Sequence, residues 1–76
     1  MTAMTDEKPR SLGEALPAEM TRVRDVVMPA YIEIGPAGAF GLAMMRQSLD
    51  FATKALAEGD VISMMRAYED LKGWQL

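Results

Sequence analysis

Residues 16–34 read LPAEMTRVRDVVMPAYIEI, and the spacing of their apolar members decides the fold class. Leu16, Met20, Val23, Val27, Ala30 and Ile34 stand alternately four and three residues apart. A helix turns 100° per residue, so that spacing gathers all six into one stripe, the seam of a helix that packs on another. A strand would alternate every second residue, and no such alternation runs through the stretch. Pro17 suits the first helical position, where its missing N–H costs nothing, and Glu19 follows in the first turn, favourable to the dipole. Pro29 cannot donate to the carbonyl of Asp25 and its ring crowds that turn, which predicts a kink near Met28. The seam passes through the proline in phase, so 17–34 reads as one kinked helix.

Working outward, Gly35-Pro36 closes this helix and opens a second over 36–58. Its seam is Leu42, Met45, Leu49, Ala52 and Leu56, flanked by Met44 and Phe51. Gly59 stands where a left-handed residue ends a helix. Asp60 is placed to cap a third helix over 61–72, accepting from the amide of Ile62 or Ser63. That helix aligns Val61, Met64 or Met65, Tyr68 and Leu71 on one face. Gly73 ends it, and Trp74 is expected to fold back over the last turn near Tyr68. Upstream, residues 1–15 hold Pro9 and Gly13 amid charges without a sustained apolar period, and read as a mobile arm. The expected molecule is all-α: a single helical domain over 16–76, a small three-helix antiparallel bundle in which a helical hairpin carries a short third helix.

Composition limits what such a domain does. The chain has 76 residues, half of them apolar and a quarter charged, a globular balance. A core this small rarely leaves more than about 3–5 kcal/mol of stability without a disulfide, a metal or a partner subunit. There is no cysteine and no histidine. Disulfides, thiolate sites and the commonest zinc ligand are therefore absent, and no cofactor is expected. Oligomerisation or unusually good helix packing remains. The net charge of −3 lacks the local excess of Lys and Arg that phosphate contacts require. The longest uncharged stretch, Ile34 to Met45, falls well short of the ~20 residues that cross a bilayer, and it lacks the basic polar face of an interfacial helix. The polar, acid-bearing start MTAMTDEKPR is unlike a signal peptide. A soluble cytoplasmic protein without a membrane role is the expectation.

Few residues invite chemistry. Gly35, Gly38 and Gly41 recur every third residue in GPAGAFG. A phosphate loop would need a preceding strand and a Lys-Ser/Thr ending, and an RNA-binding GxxG element would need strands and basic character. Close approach of two helices at their corner explains the glycines better. The methionines are numerous, eight in all, and four form the pairs Met44-Met45 and Met64-Met65. Neighbours on a helix point about 100° apart, so one member of each pair must leave the seam. Flexible, polarizable Met on a flank suits an adaptable partner surface. Met44, Met45, Phe51, Met64, Met65, Tyr68 and Trp74 are therefore the candidate residues for a dimer or partner interface. Asp50 with Lys54, and Glu69 with Lys72, have the spacing of helix-surface ion pairs. The serines and threonines have no base beside them in sequence, so catalysis is not expected.

Ala55 and Gly59 have the four-residue spacing of a helix-turn-helix motif, which makes residues 51–70 an alternative DNA-binding unit. Asp60 in the turn, and Glu69 and Asp70 on the would-be recognition helix, oppose it. An echo of Met44-Met45-Arg46 in Met64-Met65-Arg66 is too short for a repeat architecture. AMMRQSLDFATKALAEGDV (43–61) and MMRAYEDLKGW (64–74) resemble short acidic helical proteins of the prophage and phage type. That resemblance implies accessory or regulatory binding without naming a target. Taken together, the residues point to a non-catalytic interaction protein, acting through apolar helix faces as a homodimer or on a protein partner.

Overall fold

A computed structural model describes residues 11–75; the expected arm lies outside them over 1–10. Every element among the described residues is helical. Helical segments follow one another without a gap from Leu12 to Glu58, and a second run follows at Val61–Lys72. The described residues thus form two helical runs, one long and one short, where three separate helices were expected. The long run is not straight. Forty-seven residues would extend about 70 Å at 1.5 Å each, whereas the longest dimension is 46 Å.

Its segments are α1 (Leu12–Arg22), a π turn (Val23–Val27), α2 (Met28–Ile34), a 3-10 turn (Gly35–Gly38) and α3 (Ala39–Glu58); the short run is α4 (Val61–Lys72). Helix α1 begins earlier than the sequence suggested. Ser11 is the extended residue before it, and its carbonyl accepts from Glu14 and Ala15 at 2.9 Å. Residues 12–15 are therefore helix and not arm, and Pro17 lies inside α1 instead of opening it. The disturbance expected at Pro29 takes the form of the π turn. The Met28 amide reaches back five residues to the Val23 carbonyl. The wider turn lies one turn before the proline, where its ring and missing N–H disrupt α-helical bonding.

Gly35 makes the corner that three separate helices were expected to need. Its φ of 85° and ψ of −146° are outside any helix and open to glycine alone among common residues. The chain resumes helical geometry at Pro36 and turns back, α2 lying against α3. Gly38 and Gly41 permit that approach. A Cβ on Gly38 would collide with the Tyr31 carbonyl, and one on Gly41 would come within 2.6 Å of the Tyr31 ring. At the other end, Gly59 adopts the left-handed conformation (φ 69°), and Asp60 starts α4. Arg22 donates to the Leu71 carbonyl at 3.0 Å, and Trp74 meets Tyr31 edge-to-face at 6.1 Å. These two contacts advance in the same chain direction, so α4 runs parallel to the first limb while packing on α3.

The core draws three side chains from each limb: Leu16, Val23 and Val27; Met45, Ala52 and Ala55; Met64, Ala67 and Leu71. Steps of three, four and seven place each trio on one stripe. Three of the nine are alanines, which lets helices approach closely but buries little area. Among the described residues only Leu16, Met45, Leu71, Val23 and Val27 are large and completely enclosed. The predicted seams hold except at Ile34, the end of the first, and Val61, the start of the third, which face outward.

Candidate interaction surface

Each methionine pair divides between the inside and the outside. Met45 is fully enclosed and Met64 nearly so, which removes both from the candidate surface. Their neighbours Met44 and Met65 are exposed. The cause is the 100° step between adjacent helical residues, with the seam taking one and the flank the other. Phe51 is exposed too, while Tyr68 and Trp74 are half-buried against the core. Trp74 folds back, but onto Tyr31 of the first limb and not onto Tyr68. Tyr68 instead carries Lys72, whose ammonium lies 5.2 Å from the ring centre. That contact replaces the expected Glu69–Lys72 pair; Asp50 and Lys54 form no ion pair either.

Several exposed residues escaped the sequence reading. Among the described residues Phe40 is the most exposed of the large apolar side chains, at 77%. It stands four residues before Met44 and eleven before Phe51, with Gln47 between. Phe40, Met44, Gln47 and Phe51 therefore form a second stripe on α3, stepping four, three and four. The inner seam obscured it, because a reading that follows the strongest stripe treats what flanks it as decoration. On α4, Val61 and Met65 are exposed four apart, with Ile62 beside them. Ile32 and Ile34 face outward just before the corner, and Val26 from the π turn.

The electrostatics are local. Asp60 accepts from the Ser63 hydroxyl at 2.7 Å, and that bond holds its carboxyl below the usual range. The amides of Ile62 and Ser63 lower it further, without closing a capping hydrogen bond. Arg24 does the same to Asp25 through a 2.9 Å bond. No pocket and no group of three metal-ligating side chains occurs among the described residues. The run Leu12–Glu58 is long and apolar enough to cross a membrane by length and composition, but the corner at Gly35 divides it. For the helix-turn-helix alternative, α3 and α4 are joined by two residues, Gly59 and Asp60. The exposed side of α4 sets Glu69 and Asp70 beside Arg66. The chain matches no protein-family model, no curated protein and no solved structure.

Proposed function

We propose that this chain is a non-catalytic interaction protein that self-associates and presents a further apolar face to a protein partner. One observation carries the reading: among the described residues nine large apolar side chains are exposed, against six that are buried. Single exposed apolar residues are ordinary; an exposed set larger than the enclosed one, arranged in helical stripes, marks an interaction surface. The small core gives association a second benefit, since burying these side chains stabilises a chain with few internal contacts to spare. Two faces are available, the α3 stripe from Phe40 to Phe51 and the α4 stripe from Val61 through Met65. An accessory role of the kind implied by the phage-type resemblance, exercised in a cytoplasm, fits this reading.

Sedimentation equilibrium across micromolar to submillimolar concentration tests it. The mass is expected to rise from 8.4 kDa towards twice that value as concentration increases. A constant monomer mass, with no binding of a dye for exposed apolar surface, would remove the support.

A further inference from the structure

We propose that α3 is the contact helix of an antiparallel homodimer, in which Phe40 of each copy packs against Phe51 of the other. The inference rests on the self-association reading above and specifies the face and the register. Phe40, Met44, Gln47 and Phe51 step four, three and four, the spacing of a two-helix seam. This seam is separate from the inner one that builds the core. It is also symmetric about the midpoint between Met45 and Arg46. A two-fold axis at that point sets Phe40 opposite Phe51 and Met44 opposite Gln47, each twice. An isologous contact needs this self-complementarity, because the same patch must serve both copies. A parallel pairing would instead stack Phe40 on Phe40 and Gln47 on Gln47, and cross-linking separates the two registers.

The exposed area fits such a dimer. Phe40 at 77%, Phe51 at 42% and Met44 at 37% leave roughly 300 Å² of apolar side chain per copy, given ~200 Å² for a whole large side chain. A specific interface must clear about 1,000 Å² in total, or ~500 Å² per copy, with somewhat over half of it apolar. The stripe meets that requirement at its lower end. Gln47 within the seam and the exposed neighbours Ala43 and Lys54 beside it supply the remainder. Gln47 limits the strength, because its amide would leave water to face Met44 without gaining a hydrogen-bond partner. Weak, concentration-dependent dimerisation is the consequence. The α4 stripe stays free for a different partner.

Because the chain contains no cysteine, single thiols can be introduced without background. Phe40→Cys and Phe51→Cys proteins are mixed and treated with a short bis-maleimide. In the antiparallel register the mixed 40–51 product is expected to dominate. Like positions lie about 16 Å apart along the axis, eleven residues at 1.5 Å each. A predominant 40–40 product would overturn the register. In the otherwise unaltered chain, Gln47→Leu is expected to tighten association about tenfold by replacing an amide with apolar contact; unchanged or weaker association would contradict the seam. A dimer that forms no 40–51 product, and instead dissociates with Val61→Glu/Met65→Glu, would refute the α3 contact and leave the interaction reading intact. A chain that stays monomeric at all concentrations would sink both. Binding of the monomer to zwitterionic phosphatidylcholine vesicles, lost with Phe40→Glu, would assign the stripe to a lipid surface and reject the dimer.

Discussion

Gly35 bears the sharpest backbone requirement among the described residues. Nothing lies within 4 Å of the position a Cβ would take, so its constraint is conformational and not steric. Gly35→Ala is expected to lower unfolding stability by about 1–3 kcal/mol, the cost of holding a side-chain residue in that region. Chemical denaturation followed by helical circular dichroism measures it. Gly41 has the opposite constraint, since its φ is ordinary and the Tyr31 ring occupies the space. Gly41→Ala is expected to drive that ring off Trp74 and so alter the fluorescence of the single tryptophan; an unchanged spectrum would contradict the packing. The GPAGAFG spacing made a close corner legible. It did not reveal that the three glycines serve two different purposes, because composition carries no dihedral angles. Nor did it reveal Arg22, whose link to the Leu71 carbonyl spans 49 residues.

Among the helices, periodicity located the buried stripes well and the boundaries less well. Pro17 resembled a helix start, yet Leu12 through Leu16 form the first turns of α1 before it. Prolines are disfavoured inside helices but not forbidden, and tertiary burial of Leu16 draws the earlier residues in. Ala55 and Ala67 join the core from beside the predicted seams, since close helix packing buries a wider stripe than one seam. The core they help to form is sparse. Leu16→Ala should cost about 2–5 kcal/mol, which is comparable to all the stability expected of so small a domain. Its thermal transition is expected to be lost or shifted to far lower temperature; a transition within a few degrees of the native one would contradict this packing. The start of α4 is pH-sensitive in a defined direction. The Asp60 carboxyl is depressed by the Ser63 hydroxyl, so its stabilisation is full above its unfolded pKa. It is lost as pH falls below about 4, through the lower folded value. Asp60→Asn is expected to remove that acid-dependent step from an acid titration of helix content; an identical profile in the variant would exclude the role.

For the whole molecule, the governing quantity is the imbalance between what is enclosed and what is left in water. The sequence conveyed this imbalance in outline, through a short chain, three amphipathic segments and paired methionines that no single seam can hold. It could not say which side chains face outward. That depends on where the corner and the two-residue link place α3 and α4, and the most exposed of them, Phe40, was not foreseen. If these side chains await another molecule, their removal should spare the fold. Phe40→Glu therefore gives the most direct test, read as sedimentation mass against concentration beside the unaltered chain. The variant is expected to keep its helical spectrum and stay at 8.4 kDa where the unaltered chain approaches twice that mass. A variant that unfolds would mean that Phe40 belongs to the core, and one that associates as well as the unaltered chain would mean that its exposed ring contacts nothing.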